Sequence, residues 1–283
     1  MRVKSGLAAL LASAVLTAQA ALAGPETIAG PGYEPACFAP WAAETKHFQW
    51  PAKEGPYRIA IVNGFVGNTW RIQMIKTAKA FAEDPAIKDK IKEFKVVSTG
   101  TDAPAQLGAI EDFINQGFDA IITIAVAPDG FDRVIRLADK NNVVLVPFDN
   151  VLDTDAVMQV NEDQLAMGRL WSEFILKELA AVGKTSGKIL EVRGLPGNSV
   201  DRDRSIGINE VLAASAGPWE VVQVVGNWDD GTAQKVTADA IAVHGQFDAI
   251  ITQGGSTGVV QAMLDAGHPM VPVAGEAENG FRK

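Results

Sequence analysis

The sequence predicts an α/β protein built from two similar lobes, each a parallel β-sheet with helices on both faces. The main observation is a repeat: the hexapeptide FDAIIT occurs at Phe118–Thr123 and again at Phe247–Thr252. Each copy follows an amphipathic segment and precedes a loop, a second helical segment and another apolar run. These runs are nearly continuous in Val, Ile and Leu, which is typical of strands buried on both faces. Strands that alternate with helices indicate parallel βαβ units.

The first lobe is predicted at residues 57–157. It begins with the strand YRIAIVN, and the next helix places Met74, Ile75, Ala78 and Phe81 on one face. The strand FKVVS and the helix AQLGAIEDFINQ follow, with Gly117 as a stop signal. The first FDAIIT copy, a third helix and the strand VVLVPF complete this lobe.

The second lobe is predicted at residues 158–283 and repeats the scheme. A helix starting near Glu162 leads into it, and the strands KILEVR, WEVVQVV, FDAIIT and MVPVAG follow in order. Helices are expected between them, near Asp203–Ala214, near Thr232–Val243 and after the second FDAIIT copy. Two like lobes leave a cleft between them, and small molecules bind in such clefts.

The N-terminus has the pattern of a secretory signal peptide. Arg2 and Lys4 supply a basic start, Leu7–Leu16 is apolar, and Ala21-Leu22-Ala23 is an A-x-A-like cleavage site. We therefore expect export and cleavage after Ala23, since the apolar run is short for a retained membrane anchor. Residues 24–56 are expected to form an irregular extension.

Composition excludes several classes of partner and site. The net charge is −9, and no Lys/Arg-rich block is present, so nucleic acid is not an expected partner. Cys37 is the only cysteine, which rules out an intrachain disulfide. The three histidines are scattered, and His244 and His268 are expected at the surface. No dinucleotide or phosphate-binding glycine motif is present, so neither a metal nor a cofactor is predicted.

Polar and aromatic residues follow the strands of both lobes. In parallel sheets, ligands bind beyond the carboxyl ends of the strands, so these loops are where a site is expected. The candidate substrate-binding residues are Asn68, Trp70, Arg71, Asp149, Asn150, Arg204, Trp228 and Gln253.

This set suits a sugar or a polyol. Aromatic rings offer flat apolar faces, while Arg, Asp and Asn offer donors and acceptors for neighbouring hydroxyl groups. Trp70 and Trp228 come from different lobes and are expected to sandwich one ring. The same residues also have ordinary structural roles: a Trp at a helix start often only packs, and an Arg beside Asp203 can be a solvated ion pair. Asp149 needs partners at the end of an apolar strand.

A hydrolase is the competing interpretation. The segment GGSTG at Gly254–Gly258 satisfies G-x-S-x-G between a strand and a helix, which would make Ser256 a nucleophile. However, the only acid and histidine downstream of it in triad order are Asp265 and His268, too close in sequence to form a triad. The loop after the first FDAIIT copy has no nucleophile, so a loop common to both lobes explains the glycines better, and no catalytic residue is predicted.

From about Tyr57 to its end, the chain resembles the periplasmic sugar-binding proteins of ABC transporters, in the ribose/galactose-binding (type I) group. The resemblance rests on four segments: VNGFVGNTWRIQMIKTAKAFAE, the stretch from LGAIEDFINQ to VVLVPFDN, NEDQLAMGRLWSEFI and GNSVDRDRSIGINEVL.

The resemblance implies a role for each candidate. It places the aromatic loop at Asn68, Trp70 and Arg71, and the ligand carboxylate at Asp149. Three positions depart from the ribose binders of the family. Asn150 stands where a ribose binder has an arginine, and Gly254, next to Gln253, stands where it has an asparagine. Glu276 lies near a position that the family usually fills with an aromatic–aspartate pair. The resemblance also implies that Arg204 reaches the sugar and that Trp228 is the aromatic residue of the second lobe. These departures indicate a sugar other than ribose.

The resemblance further implies a periplasmic solute-binding component of an ABC importer, a monomer that delivers a sugar or polyol to a membrane permease with its ATPase. A ligand-binding protein for a chemoreceptor or a sensor kinase is the alternative that the sequence leaves open. A transcriptional regulator would need a DNA-binding helix-turn-helix in place of the signal peptide. Because the family has a third crossing and a further strand, we expect the second lobe to be incomplete and the sequence to be a fragment.

Overall fold

Residues 24–30, 43–278 and 280–282 are described in the computed structural model. The expected signal peptide, residues 1–23, and Cys37 lie outside these ranges. The extension that we expected to be irregular contains one antiparallel pair, β1 (Glu26–Ile28) and β2 (His47–Gln49), with Thr27 opposite Phe48. Three-residue strands have too few alternating positions to be detected as a periodicity in the sequence.

The first lobe contains a four-stranded parallel sheet. Its strands are β3 (Tyr57–Asn63), β4 (Ile91–Ser98), β5 (Ala120–Thr123) and β6 (Val144–Pro147), in the spatial order β4-β3-β5-β6. The helices between them are α1 (Thr69–Ala82), α2 (Ala103–Asn115) and α3 (Asp132–Lys140), and a short 3-10 turn at Lys88–Lys90 precedes β4.

Helices α2 and α3 cover one face of this sheet and form the core of the first lobe. Their side chains Ile110, Phe113 and Val134 are buried against Ile121 and Leu145 of the sheet. Helix α1 lies on the opposite face.

An apolar groove separates α1 from the sheet. It encloses about 1580 Å³ of empty space, counting the part open to solvent, and its lining includes Ile59, Ile61, Met74, Phe81 and Phe94. Phe81, which was expected on the packed face of α1, is 62% exposed.

The second lobe has the same architecture. Its strands are β7 (Gly187–Arg193), β8 (Trp219–Val225), β9 (Ala249–Thr252) and β10 (Val273–Gly275), in the order β8-β7-β9-β10. Its helices are α4 (Gln164–Ala181), α5 (Ser199–Ala214), α6 (Asp230–His244) and α7 (Ser256–Asp265). Helices α4 and α5 bury Ile175 and Ile208 on one face of the sheet, and α6 and α7 bury Ala233 and Val259 on the other.

The repeat in the sequence is a repeat in space. The two FDAIIT copies supply β5 and β9, which are the third strands of their lobes and pair with the first and fourth strands. Even the register agrees, since Ile59 pairs with Ala120 and Ile189 pairs with Ala249. The predicted α/β class with parallel sheets flanked by helices is confirmed. Within the described residues, no helix combines the length and the apolar character needed to cross a membrane.

Candidate functional site

All eight candidate residues line one cleft between the two lobes, at the carboxyl ends of the strands. The cleft encloses about 430 Å³ of empty space, counting the part open to solvent. Five further residues line it, which are Glu162, Val200, Gly254, Glu276 and Glu278. The structure thus brings together the loops named by the strand-end argument, and it adds Glu162, which that argument did not include.

Trp228 is held in the wall of the cleft by an unusual backbone. It is only 6% exposed, and both it and Asn227 have positive φ angles, 56° and 55°. A bulky side chain rarely adopts this conformation, and such strain persists where the surroundings enforce it. The indole packs on two glycines: a Cβ atom on Gly194 would lie 2.1 Å from Cε2 of Trp228, and one on Gly254 would lie 2.8 Å from Cδ1.

Trp228 stacks on Phe65 of the first lobe, and the sandwich of one ligand ring between Trp228 and Trp70 stays a prediction. The rings of Phe65 and Trp228 stack with centroids 6.2 Å apart and an interplanar angle of 17°. Trp70 lines the cleft, and the guanidinium carbon of Arg71 lies 5.6 Å from its ring and 5.3 Å from that of Phe65. Phe65 stands in the predicted loop GFVGNTW, but spacing did not distinguish it from an ordinary loop residue.

Asn68 joins the two lobes. Its side-chain oxygen accepts a hydrogen bond from the backbone N–H of Arg71 (2.9 Å) and thereby caps α1. Its Nδ2 donates to the backbone oxygen of Trp228, 3.1 Å away in the second lobe. Arg71 is 5% exposed and donates to Oδ1 of Asn63 at 2.9 Å. Burial lowers the pKa of Arg71 to about 10, and the nearby Asp149 opposes this shift, so the guanidinium stays charged at neutral pH.

Asp149 and Glu162 form a carboxyl pair in the cleft. Burial raises the pKa of Asp149 to about 7; the charge of Arg71 works against this, and the charge and hydrogen bond of Glu162 add to it. Asp149 also has a positive φ angle of 64°, and its backbone N–H donates to the oxygen of Val160 at 3.0 Å. The neighbouring Asn150 is 2% exposed, and its Nδ2 donates to the oxygen of Ala125 at 2.6 Å.

Arg204 is 5% exposed and is held on three sides by the protein. Its Nε donates to Oε1 of Gln164 at 2.7 Å, its Nη1 to the backbone oxygen of Gln253 at 2.9 Å, and its Nη2 pairs with Glu276 at 2.7 Å. The guanidinium also lies 5.2 Å from the ring of Trp171.

Gln253 is 1% exposed and has one free atom. Its Nε2 donates to the backbone oxygen of Asp201 at 3.1 Å and to Oε1 of Glu191 at 3.4 Å. Its Oε1 is buried and, among the described residues, has no hydrogen-bond partner. A buried polar atom without a partner is costly, so we expect a water molecule or a group of a ligand to supply one.

The surroundings of Ser256 contradict the hydrolase interpretation. Ser256 is fully buried at the start of α7, where its backbone N–H donates to Glu278 at 3.1 Å and its Oγ donates to the backbone oxygen of Glu276 at 3.4 Å. His268 is 7% exposed, in contrast to the expected surface position. Its Nε2 accepts from the N–H of Phe247 (2.9 Å) and its Nδ1 faces the oxygen of Pro269 (2.7 Å), so both ring nitrogens have structural partners.

The structure gives no support to a metal centre: within residues 24–30, 43–278 and 280–282, no three His, Cys, Asp or Glu side chains are grouped as metal ligands.

Glu278 is 6% exposed, and burial raises its pKa to about 7 against the opposing hydrogen bond from Ser256.

The chain matches known proteins along most of its length. Residues 59–282 match the model of the periplasmic binding protein domain family. The xylitol-binding protein of Mycolicibacterium smegmatis is 29% identical over 182 residues, which cover 63% of this chain and 51% of that protein. The D-ribose/D-allose-binding protein of Pseudomonas aeruginosa is 26% identical over 245 residues, which cover 82% of this chain and 73% of the relative.

A solved structure shares the fold. An ABC transporter solute binding protein from Thermobispora bispora aligns with a TM-score of 0.68 at 27% identity, over 77% of this chain and 67% of its own. The chain spans about half the length of the xylitol-binding protein. These relatives are binding proteins and not enzymes, as expected for this chain. Because the family model covers both lobes, the chain belongs to the periplasmic binding protein domain family.

Proposed function

We propose that this chain is the solute-binding component of an ABC importer and that it captures a sugar or polyol in the cleft between its lobes. One observation carries the proposal: Trp70 of the first lobe and Trp228 of the second line the cleft beside charged and amide groups contributed by both lobes. A sugar has the same duality, because its C–H faces are apolar and its hydroxyl groups lie around the edge. The names of the relatives, which bind xylitol, ribose and allose, support the same ligand class.

The eight candidate residues are part of this proposal. Trp228 would pack on the ligand from the second lobe, and Trp70 would close the cleft from the first. Arg71 and Asp149 are the charged groups that we expect to contact hydroxyl groups directly. Asn68 and Asn150, whose Nδ2 atoms donate to the protein, would shape the cleft and contribute less to contact with the ligand.

Closure of the lobes would bury the ligand, as in other hinge-closing proteins. Two contacts besides that of Asn68 support a closed arrangement. Nδ2 of Asn198 donates to the backbone oxygens of Ala125 and Val126, each at 3.1 Å. Arg202 pairs with Asp153 at 3.1 Å. We propose that the segments crossing between residues 57–157 and 158–283 act as the hinge.

The transport partners follow from the family. We propose that the protein is exported to the periplasm after cleavage behind Ala23, works as a monomer, and docks in its closed form on a membrane permease driven by an ATPase. Co-purification of the chain with the permease encoded nearest to its gene, in the presence of ligand, tests this part separately from ligand binding.

A thermal-shift screen tests the binding proposal. The panel contains xylitol, ribitol, D-ribose, D-allose, D-galactose and L-arabinose at millimolar concentration. At a concentration 100 times the Kd, a ligand stabilises the folded state by about 2.7 kcal/mol, which raises Tm by about 5–10 °C for a protein of this size.

Two variants locate the effect. Asp149→Asn should weaken the apparent affinity for the ligand at least tenfold, and so reduce the rise in Tm, because it removes a charged acceptor from the cleft. Asp129→Asn, in the exposed loop after β5, is the matched control and should leave the shift unchanged. A flat response of the wild-type protein across the whole panel would overturn the proposed function.

A further inference from the structure

The amide and guanidinium donors of the cleft are largely occupied by the protein itself. Asn68 and Asn150 each direct Nδ2 to a backbone oxygen. Arg204 has partners at Nε, Nη1 and Nη2. Of the two cleft arginines, Arg71 therefore retains the larger donor capacity, since it makes one side-chain hydrogen bond, to Asn63. A ligand thus meets few free donors in this cleft.

Two buried side-chain atoms of cleft residues have no hydrogen-bond partner among the described residues: Nε1 of Trp228, a donor beside Gly194, and Oε1 of Gln253, an acceptor. Nε2 of Gln253 faces Glu191, a fully buried carboxylate of β7 that also receives hydrogen bonds from Gln223 (2.7 Å) and Asn209 (3.3 Å). A carboxylate only accepts, so the NH₂ end of Gln253 must point to Glu191. Its unpartnered Oε1, in a residue that lines the cleft, is then left for a donor on the ligand.

The charges in the cleft do not balance. Glu276 pairs with Arg204, and Glu278 accepts the backbone N–H of Ser256 at the start of α7. Asp149 and Glu162 have no cation of their own: Oε1 of Glu162 accepts a hydrogen bond from Nε2 of Gln164 at 2.9 Å, and Arg71 is the nearby cation that acts on Asp149. The lining thus has four carboxyl groups against two guanidinium groups, and within the Asp149–Glu162 pair one carboxylate is in excess when both are ionised. The raised pKa of Asp149, due first to burial, agrees with a proton held by this pair.

We propose that the Asp149–Glu162 pair, together with Oε1 of Gln253, selects ligands that donate hydrogen bonds, and that it accepts an ammonium group. The inference rests on the proposed function and narrows its ligand class to amino sugars or aminated polyols, with the uncharged parent sugar second and the sugar acid excluded. An ammonium group supplies three hydrogen-bond donors and one positive charge, whereas a carboxylate has no donor and carries a negative charge. Glu162 is the specificity-determining residue of the pair.

A charge series on one skeleton tests this inference by calorimetry with the full chain. The probes are D-galactose, 6-amino-6-deoxy-D-galactose and D-galacturonate, and the corresponding D-glucose set, at pH 8.0 and pH 5.5; the amine and the acid are both at C6, and the primary ammonium group is charged at both pH values. At pH 8.0, we expect the amine to bind at least tenfold more tightly than the parent and the acid at least tenfold more weakly. At pH 5.5, protonation of the pair should reduce the preference for the amine at least fivefold.

The variant Glu162→Gln should remove the preference selectively. It keeps the size of the side chain and removes its charge, so the preference of the protein for the amine over the parent sugar should fall at least tenfold. Glu173→Gln, an exposed position on α4, is the matched control and should change no probe by more than twofold.

The contradictory outcomes are distinct. If the acid binds the wild-type protein as tightly as its parent, or if Glu162→Gln weakens all probes equally, the inference is overturned and the proposed function stands. If no probe of the series and no member of the neutral panel binds, the proposed function fails and the inference with it.

Discussion

Asp149 and Glu278 are carboxyl groups that the fold buries without full compensation. Burial raises the pKa of each to about 7, from reference values of 3.8 and 4.5. A folded state whose carboxyl pKa is raised holds more protons than the unfolded chain between those values. The free energy of unfolding must therefore fall as pH rises through this window, by at most about 1.4 kcal/mol per pH unit for each group.

We accordingly expect the ligand-free protein to be more stable near pH 5 than near pH 8. Asp119 and Asp248 act outside this window. Their pKa values are lowered: although burial opposes ionisation, hydrogen bonds from backbone N–H groups and lysines outweigh it, so their stabilisation is lost only in more acidic solution. Urea unfolding at pH 5.0, 6.5 and 8.0 measures the slope.

The double variant Asp149→Asn, Glu278→Gln should flatten that slope, with Asp129→Asn as the matched control. A wild-type stability that rises from pH 5 to pH 8 would contradict this account of the two groups.

Gly194 is predicted to be essential for the position of the Trp228 ring, because the indole occupies the space that a side chain at residue 194 would fill. A methyl group at this position would overlap the indole, at 2.1 Å from Cε2. We expect Gly194→Ala to displace the ring, to cost about 1–3 kcal/mol of stability by overpacking, and to weaken ligand binding at least tenfold. Gly108→Ala is the control, because a Cβ atom there meets no atom within 4 Å. Unchanged affinity in Gly194→Ala would show that the ring does not depend on this contact.

At the scale of residues, the sequence predicted part of the lining of the cleft. The eight candidates could be found because each follows a strand, and strand ends of parallel sheets meet at one edge. Glu162 in the cleft and the stacking of Phe65 on Trp228 were missed for a physical reason: both depend on how the two lobes face each other. Glu162 lies two residues before α4, and no sequence pattern marks a glutamate at that position as part of a cleft.

At the scale of elements, the helices and strands of both lobes were predictable because long periodic segments carry their own signal. The exact ends of the helices were less predictable. Helix α5 was expected near Asp203 but begins at Ser199, because Asn198 accepts a hydrogen bond from the N–H of Val200 (2.9 Å) and caps it. That cap stands in the loop GLPGNS and was readable in principle. The pair β1–β2 was not, since its partners lie far apart in sequence.

The packing of α4 against α5 gives a prediction at the same scale. A Cβ atom on Gly207 of α5 would lie 2.2 Å from the backbone oxygen of Leu165 in α4, so the helices approach too closely for any larger residue. We expect Gly207→Ala to push the helices apart and to lower the free energy of unfolding by about 1–3 kcal/mol. Because the crossing also brings Gln164 to Arg204, ligand affinity should fall as well.

Equilibrium unfolding in urea measures this effect, with Gly108→Ala as the matched control in an uncrowded helix. Alanine at that control position should be neutral or slightly stabilising. Equal stability of the two variants would mean that α4 and α5 adjust to a methyl group without cost.

At the scale of the whole molecule, the duplication explains why the candidate residues of both lobes line one cleft. Both sheets have the same strand order, so the loops after equivalent strands occupy equivalent places in each lobe. The repeated hexapeptide was sufficient to predict this arrangement. How the lobes contact each other was not predictable, because Asn68 and Asn198 make interlobe hydrogen bonds that leave no periodicity in the sequence.

We expect Asn198 to favour the closed arrangement of the lobes. Asn198→Asp keeps the oxygen that caps α5 but replaces the Nδ2 donor, so that a carboxylate faces the backbone oxygens of Ala125 and Val126. The closed state should lose population, and ligand affinity should fall about tenfold. Small-angle X-ray scattering should show a larger radius of gyration without ligand.

Asp163→Asn is the control for that measurement, because Asp163 caps α4 by accepting the N–H of Ala166, and asparagine keeps this bond. Scattering curves and affinities of Asn198→Asp that match those of the control would contradict a role for Asn198 in closure.

The location of a bound sugar tests the central claim most directly. A crystal structure of the full chain with the tightest-binding compound of the neutral panel should place the ligand against Trp228. One of its hydroxyl groups should lie within hydrogen-bonding distance of Asp149, with both lobes in contact with it. A ligand bound elsewhere, such as in the apolar groove between α1 and the first sheet, would contradict the account.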